Sequence, residues 1–346
     1  MSMLSCPLPI AADDFIVLGH GSGGRLSARL MEEVFLPAFR NPALQRGDDQ
    51  AVVDLPAGRV AMSTDTYVVK PLFFPGASIG ELAVYGTVND LAVGGATPKY
   101  LSAGFILEEG LPLETLRRIV GCMAEAARRC GIEIVTGDTK VVEKGSGDGV
   151  FINTAGIGVV ASGATYSASQ VRAGDRILLN GSLGDHGIAI LSQREGLELG
   201  GDLRSDAAPL HELCAAVMQS APGLHAMRDL TRGGLSSALN EIARTAKVGM
   251  QIEERALPVS DQVRGACELF GLDPLYVANE GKMVAFVPED EADAALAAMR
   301  ANEYGRDARV IGVVTESHRR MVTMRTSLGT ERIVDMLAQD QLPRIC

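Results

Sequence analysis

Tryptophan is absent and aromatic residues make up only 4% of the chain, which disfavours the stacking platforms that single-stranded nucleic acids need. Basic residues are outnumbered, 32 against 43 acidic, for a net charge of −11. A broad basic surface for nucleic acid or anionic lipid is therefore not expected, although a local anion site stays open. Long apolar runs are also missing: GVFINTAGIGVVA at 149–161 falls short of the roughly 18 residues that span a bilayer. The six cysteines, at 6, 122, 130, 214, 267 and 346, form no CxxC, and HExxH is absent. Neither a structural zinc site nor a disulfide framework is suggested. The N-terminus, MSMLSCPLPIAADDF, has no basic n-region, so a cytoplasmic protein with reduced thiols is the expectation.

What is present is glycine, 39 of 346 residues, in clusters rather than at a collagen period and above the usual share of roughly 7%. Clustered glycine marks tight turns and close backbone approaches. With 47% hydrophobic and 22% charged residues the chain is globular, and its length points to two domains.

Residues 1–45 form an N-terminal segment in which a glycine cluster precedes Leu26, Leu30, Val34 and Phe35 at helical spacing, with Pro37 marking the end. Short strands are predicted at 51–55 and 60–63. Ser78 and Glu81 form a capping-box signature for a helix carrying Leu82, Tyr85, Val88 and Ala92 toward Gly94. A strand at 101–107, a helix at 113–129 and strands at 133–136 and 150–160 complete an α/β domain at 46–164. An α+β domain at 165–322 follows, with helices at 185–194, 210–220, 234–246 and 291–300 and strands at 283–287 and 309–314. Residues 323–346 look like a tail with an amphipathic piece at 333–337, ending on Cys346.

Several constellations could carry chemistry. His20-Gly21-Ser22-Gly23-Gly24 before a helix offers consecutive N–H groups to phosphate, or is a plain glycine-rich cap. It is neither a Walker A loop nor a dinucleotide fingerprint. Asp65, Asp90 and Asp138 sit beside apolar segments and glycines, where convergent carboxylates could hold a nucleotide's magnesium. Each is otherwise a turn or cap residue. Lys140, two positions beyond Asp138, is a solvent-facing charge or a group that meets phosphate. Asp185 in GSLGDHG and Asp229 with Arg232 and Gly233 in RDLTRGG repeat the pairing of acid and glycine turn. Glu280 in YVANEGK is a turn residue or a carboxyl acid–base. Cys346 is a dispensable terminal thiol or a reactive one.

Together HGSGG at 20–24, STDTYVVKPLFFPG at 63–76, GTVNDLAVGGATP at 86–98, GDTKVVEKG at 137–145, GDHG at 184–187, DLTRGGL at 229–235, LDPLYVANEGK at 272–282 and LPRIC at 342–346 make a recognisable set. Over nearly the whole chain the sequence resembles the HypE family of hydrogenase expression/formation proteins. That family lies within the superfamily typified by aminoimidazole ribonucleotide synthetase and selenophosphate synthetase. The shared motifs indicate an ATP-using enzyme, and the LPRIC ending points to the maturation family.

The resemblance implies a two-domain α+β ATP-binding fold, dimerising through the N-terminal sheet, with a flexible C-terminal tail. It implies a carbamoyl dehydratase: the carbamoyltransferase HypF loads Cys346, and ATP drives dehydration to S-cyanocysteine, a thiocyanate. The cyano group then passes to iron on the HypC–HypD scaffold as a cyanide ligand for [NiFe] hydrogenase. On the residues, it implies Asp65, Asp90 and Asp138 at Mg2+, and His20, Gly21, Gly23, Gly24, Asn89, Thr139, Asp185, Asp229, Arg232 and Gly233 around ATP. Cys346, Lys140 and Glu280 would carry the chemistry. No nucleic-acid or membrane partner is expected. The competing expectations are an ATP-dependent small-molecule ligase or kinase of the same fold, which would not need Cys346, and a noncatalytic metallocentre-assembly scaffold, which would not consume ATP.

Overall fold

The computed structural model describes residues 14–46, 50–197, 202–336, 342 and 344–346. Cys6, Leu337 and Pro343 lie outside the described residues.

The chain enters through a 3-10 turn, Leu18–Gly21, into α1 (Arg25–Leu30), a π-helical turn (Met31–Phe35), α2 (Leu36–Phe39) and α3 (Pro42–Gln45). Pro37, expected to end the helix, stands instead at the start of α2 just past the π turn, a position where its missing N–H is tolerated. The predicted strand at 51–55 is irregular backbone. The elements β1 (Val60–Tyr67), β2 (Phe73–Phe74), β3 (Ala77–Ser78), α4 (Ile79–Val93), β4 (Ala96–Glu108), α5 (Leu113–Arg129), β5 (Glu133–Val142) and β6 (Val150–Val160) follow. They build a four-stranded sheet of order β1-β6-β4-β5 and a two-stranded ribbon of β2 and β3.

Ser78 caps α4 as predicted, accepting from the Gly80 N–H while Glu81 accepts from the Ser78 N–H. The helix is apolar nearly all round because it is covered on every side, by the first sheet, by α5 and by the second half of the chain. That sandwiched position carries Asn89 and Asp90 to the junction of the two halves. Among the described residues no helix covers the other face of the four-stranded sheet: Val60, Met62 and Ile106 are 51%, 73% and 44% exposed.

The second half comprises β7 (Arg176–Leu179), α6 (Asp185–Glu195), α7 (His211–Ser220), β8 (Ala226–Asp229), α8 (Gly234–Ala246), β9 (Gly249–Glu253), α9 (Asp261–Phe270), β10 (Met283–Val287), α10 (Ala292–Ala301), β11 (Arg309–Thr315), β12 (Val322–Arg325) and β13 (Glu331–Val334). Its seven-stranded sheet runs β13-β12-β9-β11-β7-β10-β8. Alternate side chains feed two cores: Ile177, Leu179, Val284 and Phe286 pack with α8, and Leu178, Met283, Ala285 and Val287 pack with α7 and α10. Among the described residues no helix is long and apolar enough to cross a membrane.

The tail begins later than expected. Residues from 323 continue β12 and form β13, a hairpin whose turn uses Gly329 at φ +84°. Residues 342 and 344–346 are docked against the body: Ile345 bridges Val69 antiparallel, and Leu342 and Ile345 are buried. The expected free tail end is, in this structure, docked by a single antiparallel bridge.

Candidate functional site

Strand β1 runs four residues beyond the predicted strand, so Asp65 lies within the sheet on the face turned to α4. Asp90 comes from α4 and Asp229 from the end of β8, and the three carboxylates line one inter-domain cavity of about 380 Å³ with Thr231 and Tyr166. Ser63 Oγ donates to Asp90 Oδ2 at 2.6 Å, and Tyr67 donates to Asp65 Oδ2 at 3.3 Å. Glu280, just before β10, is 4% exposed, and its Oε1 is buried without a hydrogen-bond partner.

Crowding these acids in a partly dry cleft disfavours their charged forms. Burial first, then the Asp90 charge, raises the Asp65 carboxyl. The same two causes push Asp229 up to about 7. Burial, helped by Asp206, Asp229 and Asp65, lifts Glu280 well above the usual carboxylate range. Arg232, exposed on the turn before α8, opposes part of this at Asp65 and Glu280. Gly233 shapes that turn at φ +76°, and a Cβ on Gly234 would meet the Leu275 and Val277 carbonyls at 2.6 Å.

A second cavity, of about 160 Å³, lies at the opposite edge of the first sheet and is lined by His20, Gly21, Gly23, Ser27, Asp138, Thr139 and Lys140. Gly21 is there because the loop rides directly on β5: a Cβ would stand 2.5 Å from Val141 N. Ser27 Oγ donates to the His20 carbonyl at 2.8 Å and accepts from the Gly23 N–H at 2.9 Å, so the loop is tied to its own helix. His20 is buried and its Nδ1 accepts from Val17 N–H, burial holding its pKa below the ordinary imidazole value. Gly24, the residue before α1, is exposed with open space around it.

The expected trio of Asp65, Asp90 and Asp138 is not assembled within one chain. β1 and β5 are the two edges of the sheet, three strand spacings or roughly 14 Å apart. Asp65 shares a row with Thr154, Ala103 and Gly137, which puts Asp138 one residue on and therefore on the open face. Lys140 is on that face too, 3.2 Å from Asp138 Oδ2, and is not brought to Glu280. Among the described residues no three His, Cys, Asp or Glu side chains close up as a metal shell. Asp65, Asp90 and Asp229 do fit the looser need of magnesium, which takes one or two carboxylates and completes its shell with phosphate oxygens and water.

Two other expected ligands are turned to protein. Asn89 donates to Ala208 O at 3.0 Å and accepts from Leu210 N at 2.7 Å, so its amide fastens a wall of the cleft. Asp185 accepts from Ser182 Oγ and lies half-buried near Asp206 and Lys282, away from the residues lining the acidic cavity. The buried pair of Asp206 and Lys282, at 2.9 Å, carries no sequence signal, since the loop at 202–209 has no periodicity and no glycine. Asp206 Oδ1 also accepts from the Glu280 N–H at 3.0 Å, fixing the backbone of that residue.

The C-terminal residues lie beside this apparatus. Val68 N–H donates to Cys346 O at 3.0 Å and Lys70 N–H to Arg344 O at 3.3 Å, so the tail pairs with the chain directly after β1. Arg194 donates to the carbonyls of Lys70 and Arg344, and Arg344 meets Asp148 at 3.0 Å. Cys346 is half-buried and packs against the first core. Cys130, Cys214 and Cys267 are buried, and burial pushes the Cys130 thiol up to about 12 and the Cys267 thiol up to about 11.

A four-stranded α/β half and a larger α/β half with an acidic, glycine-edged cleft between them define the class of two-domain ATP-binding proteins related to AIR synthase. Family models for the AIR synthase related protein match accordingly, the N-terminal domain at residues 47–160 and the C-terminal domain at 172–325. The carbamoyl dehydratase HypE of Azotobacter vinelandii is 57% identical over 94% of this chain and 96% of its own. A crystal structure of the hydrogenase maturation protein HypE in complex with ATP superposes with a TM-score of 0.93 at 49% identity, covering 95% of this chain and 99% of that one. HypE from a HypE–HypF complex gives 0.79 at 48% identity, covering 89% and 99%. The chain belongs to the HypE family.

Proposed function

We propose that the chain is an ATP-dependent carbamoyl dehydratase acting on a carbamoyl group carried by its own Cys346. The observation that carries this reading is the docking of the C-terminal cysteine, strand-paired to residues 68–70, only three residues beyond Asp65 of the acidic cleft. That docking supports a thiol that works next to the strand supplying Asp65.

The chemistry sets what the site must do. A thiocarbamate oxygen is a poor leaving group. Transfer of the γ-phosphoryl group to it forms an O-phosphorylated imidate with loss of one nitrogen-bound proton. Loss of the second proton and departure of phosphate then give S-cyanocysteine. Asp65, Asp90 and Asp229 would hold Mg2+, which neutralises phosphate charge when bound. Glu280, buried beside those acids and raised well above the usual carboxylate range, is a stronger base when ionised than an ordinary carboxylate and is suited to take a nitrogen-bound proton. The turn of Thr231, Arg232 and Gly233 places a cation and a helix N-terminus at the cleft mouth for phosphate oxygens. Docking the tail keeps water from a hydrolysable intermediate.

The His20 pocket would take another part of the nucleotide, and its distance from the acidic cleft is met by homodimerisation. The open sheet face exposes Met62, Val60 and Ile106, which a second copy would cover. With a twofold axis along the strands, β5 of one copy lies beside β1 of the other. Asp138, Thr139 and Lys140 of one copy then approach the cleft of its partner. HypF is the proposed source of the carbamoyl group, and the iron of a HypC–HypD scaffold the acceptor of the cyano group.

The test is intact-protein mass spectrometry of chain carbamoylated on Cys346. Adding MgATP should remove the mass of one water, and Cys346→Ala should never acquire the adduct. A carbamoylated chain that hydrolyses ATP but keeps its full mass would sink the reading. Activity on a small molecule that survived Cys346→Ala would favour a ligase or kinase instead.

A further inference from the structure

The tail is gripped at carbonyl groups, and one grip reaches inside the protein. His186, in the first turn of α6, is 0% exposed, and its Nε2 lies 2.6 Å from the carbonyl oxygen of Ile345, the residue before Cys346. A carbonyl can only accept, so Nε2 carries the hydrogen. Nδ1 of the neutral ring must then accept, and Ser205 Oγ, 2.8 Å away, donates to it. Ser205 Oγ in turn accepts from the Ala207 N–H at 3.1 Å. Phe74 sets its edge against the ring at 5.6 Å between centroids. The tautomer is thus fixed from both sides, which a space-filling core histidine would not require.

Ser205 precedes Asp206, whose carboxylate takes the Glu280 N–H at 3.0 Å and faces Lys282 Nζ at 2.9 Å. The hydrogen bonds of His186 therefore reach Ser205, and the next residue in the chain, Asp206, holds the Glu280 backbone. Gly187, next in the chain, is where Leu342 packs: a Cβ there would lie 3.2 Å from Leu342 Cδ1. We infer that His186 is a positioning residue that latches the tail at the Ile345 carbonyl and sets Cys346 in register with Glu280 through Ser205 and Asp206. The register part of this inference rests on the dehydratase reading, while the latch does not.

The latch is tested by the alkylation rate of Cys346 with iodoacetamide, quantified on the C-terminal peptide of the full-length protein. His186→Phe, which fills the space without the donor, should raise that rate roughly tenfold, about 1.4 kcal/mol of docking. His186→Gln, which keeps a donor and an acceptor, should return it toward wild type, and Ser205→Ala, which frees the tautomer, should fall between. In carbamoylated protein, His186→Phe should slow single-turnover dehydration by a similar factor while leaving half-saturation by ATP unchanged. A folded His186→Phe whose Cys346 reacts at the wild-type rate would overturn the latch, as would a His186→Gln no better protected than it. If His186→Phe does not fold, Ser205→Ala decides, and wild-type protection there overturns the inference. Altered protection without any dehydration in the wild type would instead remove the dehydratase reading and leave the latch standing.

Discussion

Asp229→Asn isolates the electrostatic cost of the acidic cleft. In the native protein the Asp229 carboxyl is pushed from 3.8 to about 7, first by burial and then by the Asp90 charge. One pH unit of displacement is worth about 1.4 kcal/mol, so keeping the ionised form in the cleft costs roughly 4 kcal/mol above pH 7. The sign follows from proton binding: the native state holds this proton more tightly than the unfolded state does. The stability it contributes is complete below pH 3.8 and is lost as pH rises through about 7. Asparagine keeps the shape and removes the titration. Between pH 5 and pH 8 the wild type should lose roughly 2–3 kcal/mol that the variant does not, or on the order of 3–4 °C in Tm. Urea unfolding and thermal melts at the two pH values measure the gap. MgATP should narrow it at pH 8 by stabilising the wild type more than the variant, because a cation relieves like-charge crowding of which Asn has removed part. Parallel pH dependences for the two proteins would refute the assignment of Asp229 to a like-charge cleft.

Other variants probe the remaining parts. Gly21→Ala places a Cβ 2.5 Å from Val141 N, so the loop must leave β5, and ATP affinity measured by calorimetry should fall by about tenfold or more. Glu280→Gln keeps the buried volume but cannot take a proton. It should slow dehydration of the carbamoylated chain by about a hundredfold with ATP binding retained, and an unchanged single-turnover rate would remove Glu280 from the chemistry. A double change of Met62→Asp and Ile106→Asp puts charge on the open sheet face, at a cost of several kcal/mol if that face is buried between copies. Light scattering should then report monomers, and a dimer that persisted would place the interface elsewhere.

Much of this architecture is legible in the sequence because local signals agree with tertiary ones. The capping box at Ser78, the helix Leu113–Arg129 and the strand Met283–Val287 follow from spacing alone. The glycine turns at His20 and Arg232 do face cavities, but Asp65 and Asp138, expected at one magnesium, are separated by the sheet order. Spacing along the chain says that Asp138 and Lys140 share a face. It cannot say that β5 is the edge farthest from β1, since that depends on which strands pair. Short strands with polar interruptions, such as Val322–Arg325 and Glu331–Val334, lack a run long enough to show a period of two, and so read as tail. His186 and Asp206 were hidden for another reason: their importance comes from partners at Ile345 and Lys282, remote in sequence.

The most direct test follows an oxygen atom. Chain carrying an S-carbamoyl group labelled with oxygen-18 on Cys346 is given unlabelled MgATP in a single turnover, and both the protein and the released phosphate are analysed by mass spectrometry. If the carbamoyl oxygen is the phosphoryl acceptor, the label appears in inorganic phosphate in equal amount with S-cyanocysteine. Label released into water, or S-cyanocysteine formed without ATP cleavage, would contradict phosphoryl activation of the tail.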